Sequence, residues 1–288
     1  MSEKPKVALV LSSGGARGYA HIGAIEELQD RGYEISSVAG TSMGALIGGL
    51  YCTGEGAKVK EWLLSITRQK MYALSDFTLS ISHVLKGEKI INALNDLVPD
   101  RRIESLPVNF CAIATDLQHS REIVFDRGSL YAAIRASIAI PTYYSPLKTK
   151  NMLLVDGGLT NPLPLNRVKR HDGDILVAVN VSAPCDLDII NKHNRLRYMR
   201  RSAMPKLLRS IFPSVDSYNY VSLITHSINT QIQRNCQLSL RLMPPDVLLS
   251  IPMNRFSGND YHNAKKIIEY GRLQMRQVLD EYEARRHR

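Results

Sequence analysis

The sequence has no run of roughly 20 consecutive apolar residues, the length that a membrane-spanning helix needs. It also has no internal repeat and no low-complexity tract. Its first residues lead directly into a short strand-like run, whereas a signal peptide would place a longer apolar stretch there. We therefore expect a cytoplasmic protein whose 44% of hydrophobic residues form the core of one large domain over residues 1–288.

Cysteine is scarce, and clusters of acidic residues are missing. The four cysteines lie far apart without a C-x-x-C pair, at Cys52, Cys111, Cys185 and Cys236. This spacing excludes a dense disulfide framework and a zinc knuckle. The sequence also lacks the Asp and Glu cluster of a calcium-binding loop. It therefore predicts reduced cysteines, no bound metal and no cofactor.

Strands and helices alternate over the first two thirds of the chain. A buried strand, a Gly-rich turn and a helix follow one another at Val7–Leu11, Ser12–Gly18 and Ala20–Asp30, and the same order recurs at Ser36–Ala39, Gly40–Gly44 and Ala45–Cys52. Further strands are predicted at Val108–Thr115, Arg121–Phe125, Met152–Val155 and Ile175–Val181, and further helices at Val59–Thr67 and Ser129–Ser137. This alternation predicts an α/β fold with a mainly parallel sheet covered by helices on both faces.

Other regions lie outside this alternation. Residues Arg68–Arg102 show no clear strand alternation and are interpreted as an irregular cap or lid. We place the core at about residues 5–182 and a basic or cap region at about 183–245. An amphipathic helix over Tyr261–Tyr282, within about residues 260–286, closes the chain.

The net charge of +10 favours contact with anionic surfaces. One pronounced cluster, Asn191–Arg209, interleaves Lys and Arg with Leu, Tyr and Met. It is interpreted either as a solvated basic face or as a patch that contacts an acidic partner or the anionic inner face of the membrane. Nucleic acid is not expected as a partner, and a homo-oligomer stays open.

A serine in a glycine-flanked turn is the first candidate for chemistry. Gly40-Thr41-Ser42-Met43-Gly44 matches G-x-S-x-G, in which a serine follows a strand, precedes a helix and has no flanking side chains to clash with. The pentapeptide alone is weak, but the predicted strand before it and helix after it supply the context that the motif demands. The sequence therefore predicts that Gly40 and Gly44 hold the Ser42 hydroxyl outward as a nucleophile.

A serine nucleophile needs a base, usually a histidine. The eight candidates are His21, His83, His119, His171, His193, His226, His262 and His287. His171 comes nearest to a suitable position, in a polar turn that we interpret as ending a short helix before a strand. His21 is interpreted as a packed or capping residue. None stands in a recognisable turn at the end of a strand.

A carboxylate is the better partner. Asp156 leaves an apolar strand and enters a turn formed by Gly157 and Gly158. An acid at such a strand end points into the crevice where open α/β sheets bind ligands. To act as a base, Asp156 has to lie within hydrogen-bond reach of Ser42.

A second glycine-rich turn, Ser12–Gly18, places consecutive backbone N–H groups at the start of a helix. Such a nest suits an anion, but it lacks both the G-x-G-x-x-G spacing of a dinucleotide site and the ending of a P-loop. Because a nucleophile turn follows on the next strand, the better interpretation is an oxyanion hole for an ester's tetrahedral intermediate.

Four blocks in this order resemble the patatin-like phospholipase family, and within it the small bacterial members related to the esterase domain of neuropathy target esterase. They are Gly14–Gly18, Gly40–Gly44, Ala136–Pro141 and Asp156–Gly158, and the resemblance covers most of the chain. The sequence departs from the family at Ser13, where the family often has the first of three glycines.

The resemblance implies a three-layer α/β/α fold and a catalytic Ser-Asp dyad without histidine. Ser42 would attack the acyl carbonyl, Asp156 would accept its proton, and the amides of Gly14, Gly15 and Ala16 would receive the oxyanion. Arg17 would either steady this loop or meet a lipid phosphate. The Ala136–Pro141 block contains no strong acid or base and is expected to support the site through packing.

The implied function is hydrolysis of acyl esters of phospholipids or lysophospholipids through an acyl-enzyme. Two alternatives stay open. One is a regulatory or interaction protein with weak or vestigial esterase activity, in which binding would survive Ser42→Ala. The other is acyl transfer to an acceptor other than water, which would favour a Ser-His pair and which a test of His171 would separate.

Overall fold

The computed structural model describes residues 5–67, 69–70, 73, 83–192 and 220–286. The strands are β1 (Lys6–Leu11), β2 (Glu34–Thr41), β3 (His83–Leu85), β4 (Asn109–Asp116), β5 (Arg121–Phe125), β6 (Thr142–Tyr144), β7 (Leu147–Lys148), β8 (Leu153–Asp156), β9 (Ile175–Ala183) and β10 (Val247–Pro252). The helices with defined bounds are α1 (Ala20–Asp30), α2 (Met43–Cys52), α3 (Gly56–Leu64), α4 (Glu88–Leu97), α5 (Leu130–Ser137), α6 (Tyr220–Leu242) and α7 (Ala264–Arg286).

The central sheet has the order β10-β9-β1-β2-β4-β8-β7, and β5 pairs with β4 outside this path. The five strands from β10 to β4 run parallel, whereas β5 and β8 run antiparallel to β4. β3 and β6 form a separate parallel pair. The predicted α/β fold with a mainly parallel central sheet is therefore confirmed.

The sheet is buried on both faces because its strands are apolar at successive positions. In β1, Val7, Leu9 and Leu11 pack into a core formed with α1, α2 and α7. Ala8 and Val10 point the other way, into a second core that includes Cys236 of α6. Successive side chains of a strand face opposite sides of the sheet. The continuous apolar run of β1 therefore contributes to the cores on both faces.

Several predicted elements occur at or near their predicted positions. α1 and β5 have the predicted bounds. α2 begins at Met43, ahead of the predicted Ala45, and α3 ends before the predicted Thr67. Ser129 is the N-cap of α5, where its side chain accepts a hydrogen bond from the Ala132 amide. α7 begins at Ala264, after a 3-10 turn at the predicted start.

Other parts of the prediction need correction. Arg68–Arg102 is not irregular throughout, because it contains α4 and β3, while residues 68, 71–72 and 74–82 lie outside the described residues. The sheet also extends beyond residue 182, because β10 pairs with β9. The basic segment Asn191–Arg209 lies outside the described residues from position 193 onward. None of the described helices is long and apolar enough to cross a membrane.

Candidate functional site

Ser42 occupies the sharp turn between β2 and α2. Its φ of 55° and ψ of −120° are unusual for a residue other than glycine, and such strain is stored where the surrounding structure holds it. The close packing depends on Gly44, because a Cβ at that position would lie 2.2 Å from the Leu11 carbonyl oxygen. A Cβ at Gly40 would lie 2.4 Å from the Gly44 carbonyl oxygen. The two glycines therefore allow the turn that presents Ser42.

The Ser42 hydroxyl donates a hydrogen bond to Oδ2 of Asp156. The register of the sheet explains why these residues meet. Thr41 of β2 lies opposite Ile113 of β4, while Asp156 of β8 lies opposite the next β4 residue, Ala114. Ser42 and Asp156 therefore lie on either side of β4 at the same position along it. Ser42 follows β2, which is parallel to β4, and Asp156 ends β8, which is antiparallel to β4.

The Asp156 carboxylate is buried, with 5% of its surface exposed. Its Oδ1 accepts a hydrogen bond from the Gly158 amide at 2.7 Å. Burial raises the pKa of the Asp156 carboxyl to about 7, although the hydrogen bonds from Ser42 and Gly158 act in the opposite direction. At neutral pH this carboxyl is therefore poised between its two protonation states. Gly157 packs so closely on β4 that a Cβ would lie 2.3 Å from the Ile113 carbonyl oxygen.

The Ala136–Pro141 block supports both residues through hydrogen bonds as well as packing. The Ser42 amide donates to Ser137 Oγ at 2.8 Å, and the Ser137 hydroxyl donates to the Ile113 carbonyl. The Asp156 amide donates to the Ala139 carbonyl at 2.9 Å. This role of Ser137 was not predicted from the sequence. The one feature that could have indicated it is that Ser137 is the only polar residue in this otherwise apolar block.

Two amides of the Gly14–Gly18 loop have no hydrogen-bond partner in the described part of the chain. They belong to Gly14 and Gly15, and both residues line the cleft beside Ser42. Ala16 was predicted to be a third donor, but its amide donates to the Gly258 carbonyl at 2.8 Å. This hydrogen bond anchors the loop at Ala16. Of the three predicted oxyanion donors, only the amides of Gly14 and Gly15 are without a partner in the described residues.

Arg17 connects the same loop to the residues at the ends of β9 and β10. Its guanidinium is buried and donates to the Val181 carbonyl at 3.0 Å and to the Met253 carbonyl at 3.3 Å. Burial lowers the pKa of Arg17 to about 10. Of its two predicted roles, these contacts support steadying the loop, because two of the three guanidinium nitrogens bind backbone oxygens. Arg17 also lines the cleft at Ser42, so contact with a lipid phosphate stays a prediction.

The histidines whose side chains the structure describes take no part in this arrangement of residues. His21 is fully buried, its Nε2–H donates to the Ser12 carbonyl at 2.9 Å, and burial lowers its pKa to about 4, so the ring is neutral. His171 lies in a turn near the start of β1 and β2, at the end of the sheet opposite Ser42. Residues 161–170 before it form turns and irregular structure, so the predicted short helix does not end there. Among the described residues, no histidine lines the cavities at Ser42.

Ser42 lies between two cavities of different character. On one side is a narrow cavity of about 60 Å³ between α2, α3 and α4. Most of its wall is apolar, with side chains such as Leu46, Trp62, Ile90 and Leu94. On the other side is an open cleft of about 460 Å³, which Asp156 and the loop amides line.

The arrangement contains the parts that acyl transfer needs. A hydroxyl is bonded to a carboxylate that can accept its proton, and unpaired amides lie next to it. Within the described ranges, no group of three or more His, Cys, Asp or Glu side chains is placed to hold a metal ion.

Known proteins resemble this chain in sequence. A family model described as patatin-like phospholipase matches residues 9–168, more than half of the chain. An uncharacterized NTE family protein of Mycobacterium tuberculosis is 44% identical over 181 residues, which cover 63% of this chain and 50% of that protein. Neuropathy target esterase sws of Drosophila melanogaster is 32% identical over 192 residues, which cover 64% of this chain and 13% of that protein.

A solved structure covers more of the chain but is more distant. VipD from Legionella pneumophila has a TM-score of 0.47 and 14% identity, and the match covers 97% of this chain and 67% of that one. The chain spans about half the length of the mycobacterial relative and a much smaller share of the fly protein. On the match of the family model to residues 9–168, the chain belongs to the patatin-like phospholipase family.

Proposed function

We propose that the protein hydrolyses acyl esters of phospholipids, lysophospholipids or related lipids, with Ser42 as nucleophile and Asp156 as its general base. The observation that carries this proposal is the hydrogen bond from the Ser42 hydroxyl to the buried Asp156 carboxylate. The family relationship points to the same reaction class.

In the first half of the reaction, Ser42 Oγ attacks the acyl carbonyl carbon while its proton passes to Asp156. The carbonyl oxygen becomes an oxyanion next to the Gly14 and Gly15 amides, and one such donor contributes about 3 kcal/mol in a known serine hydrolase. When the intermediate collapses, the bond to the leaving alcohol breaks and Asp156 returns the proton to that alcohol. The product of this half is an ester of Ser42.

The two cavities favour a lipid ester over a small polar ester. The acyl chain would enter the narrow cavity that apolar side chains of α2, α3 and α4 line. The alcohol portion would occupy the wider cleft, whose wall is more polar and includes Ser182 and Asn229. Because Ser42 lines both spaces, an ester bond that spans them lies at its hydroxyl.

The direct test is product analysis on defined lipids. Wild type, Ser42→Ala and the matched control Ser105→Ala, an exposed serine outside the site, are incubated with phospholipid or lysophospholipid and the products are identified by mass spectrometry. We expect free fatty acid from wild type and Ser105→Ala and none above background from Ser42→Ala. Equal release by Ser42→Ala would contradict the proposal, and a binding function that survives this change would favour a regulatory protein.

Trp62 offers a measurement of the acyl cavity that does not depend on turnover. It is the only tryptophan in the sequence and it lines the narrow cavity. In folded Ser42→Ala protein, a fatty acid brominated along its chain should quench Trp62 fluorescence, because the bromine atoms would contact the indole ring. The same acid without bromine is the control. Equal fluorescence with the two acids at saturating concentration would place the chain elsewhere.

A further inference from the structure

Three buried serines lie together where the loop after β1 meets the end of β9. The Ser12 hydroxyl donates to the Ser13 carbonyl, and the Ser182 hydroxyl donates to the same carbonyl at 2.7 Å. The hydroxyl of Ser13 itself has no hydrogen-bond partner among the described residues, although only 3% of this residue is exposed. Buried hydroxyls normally have a partner, so an orphan next to a reaction centre needs an explanation.

The Ser13 hydroxyl and the Asp156 carboxylate lie on the same side of Gly158. Gly158 has no side chain, and the point where its Cβ would lie is 3.4 Å from Ser13 Oγ and 3.0 Å from Asp156 Oδ1. The same point is 3.4 Å from Cδ1 of Ile232, which is an apolar group. Ser13, Asp156 and Gly158 all line the cleft on the leaving-group side of Ser42. Ser13 and Asp156 therefore border the same cleft, from which the first product would depart.

We propose that Ser13 is a positioning residue for the water that hydrolyses the acyl-enzyme, and this inference rests on the function proposed above. After the alcohol leaves, a water molecule enters the space between Ser13 Oγ and the Asp156 carboxylate. One of its O–H groups donates to Asp156 and the other to Ser13. These two bonds turn a lone pair of the water oxygen toward the acyl carbon on Ser42.

The step balances without another reactant. The water oxygen bonds to the acyl carbon while one water proton passes to Asp156, which gives a tetrahedral oxyanion next to the loop amides. As the intermediate collapses, the bond between the acyl carbon and Ser42 Oγ breaks and Asp156 returns the proton to that oxygen. The products are a free carboxylic acid and the original hydroxyl. Ser13 supplies no proton, so its loss should slow this half of the reaction only.

The test measures the two halves separately in Ser13→Ala and Ser13→Gly, both of which lack the hydroxyl, and in Gly158→Ala, whose methyl would lie 3.4 Å from Ser13 Oγ and 3.0 Å from Asp156 Oδ1. The rate of labelling by a fluorophosphonate reports attack by Ser42. Decay of the acyl-enzyme formed with a p-nitrophenyl ester, followed by intact-protein mass spectrometry, reports attack by water. Thermal unfolding of each variant shows that it is folded.

We expect the two Ser13 variants to lose about tenfold in the decay rate, the effect of one hydrogen bond to a reacting molecule, and to be labelled at nearly the wild-type rate. Gly158→Ala should slow decay as well. A decay rate unchanged in both Ser13 variants would overturn the inference. A parallel fall in labelling would also overturn it, because Ser13 would then support the attack by Ser42. If wild type is neither labelled nor acylated, the proposed function fails together with this inference.

Discussion

Replacing Asp156 with asparagine is expected to lower kcat/KM for ester hydrolysis by about 10²- to 10⁴-fold, the contribution typical of a general base. Asparagine has nearly the same shape and can keep a hydrogen bond from the Gly158 amide, so the change removes mainly the ability to accept the Ser42 proton. The measurement is steady-state hydrolysis of a soluble ester. Asp126→Asn, at an exposed position, is the matched control and should retain wild-type activity.

The pH dependence of wild type should follow the same carboxyl. Because the pKa of Asp156 is about 7, kcat/KM should rise with pH and level off above that value. A profile already flat from pH 5 upward would contradict a role for this group as the base.

The free energy of unfolding of wild type, measured relative to Asp156→Asn, should fall as the pH rises. The folded state binds the Asp156 proton more tightly than the unfolded chain does, so the benefit of protonation is complete below about pH 4 and is lost as the pH rises through about 7. At pH 8 the variant should be more stable than wild type by up to about 4 kcal/mol, since each pH unit between the two pKa values corresponds to about 1.4 kcal/mol. At pH 4 the two should be close.

Replacing Glu27 with alanine is expected to destabilise the fold by about 1–3 kcal/mol, because charge-assisted hydrogen bonds are lost while the arginines that remain can reach water. Only 3% of Glu27 is exposed, and its carboxylate accepts hydrogen bonds from Arg31 at 3.1 Å, Arg272 at 3.3 Å and Arg276 at 3.1 Å. The last two arginines belong to α7, so one carboxylate on α1 fixes the C-terminal helix. Urea unfolding measures the loss.

The control for this change is Glu34→Ala, an exposed position that should alter the free energy of unfolding by less than about 0.5 kcal/mol. The hydrogen bonds from Arg276 and the other arginines lower the pKa of Glu27, so its stabilisation should be present above about pH 4 and lost at lower pH. A Glu27→Ala protein as stable as Glu34→Ala at neutral pH would show that the arginines find other partners.

The local parts of the site were predictable because short-range geometry determines them. A serine between Gly40 and Gly44 after an apolar strand predicts a strained turn, and Ser42 has the positive φ that this turn requires. An aspartate followed by two glycines at the end of an apolar strand predicts a carboxylate that points into the crevice at the ends of the strands. Both signals depend on a few neighbouring residues.

Other features depend on pairings between distant parts of the chain. The Gly258 carbonyl accepts a hydrogen bond from the Ala16 amide, but nothing in the sequence around Gly258 indicates this pairing. The β4 register brings Asp156 level with Ser42, and strand spacing does not predict register. β10 was missed because a six-residue apolar run is a weak signal when no helical pattern was recognised before it.

Fluorophosphonate labelling, with the modified peptide identified by mass spectrometry, tests the central claim most directly. The account predicts that the label resides on Ser42 in wild type, that Asp156→Asn is labelled much more slowly, and that Ser42→Ala is not labelled although it is folded. Labelling of Ser42→Ala at the wild-type rate, or a label on another serine of wild type, would contradict the account.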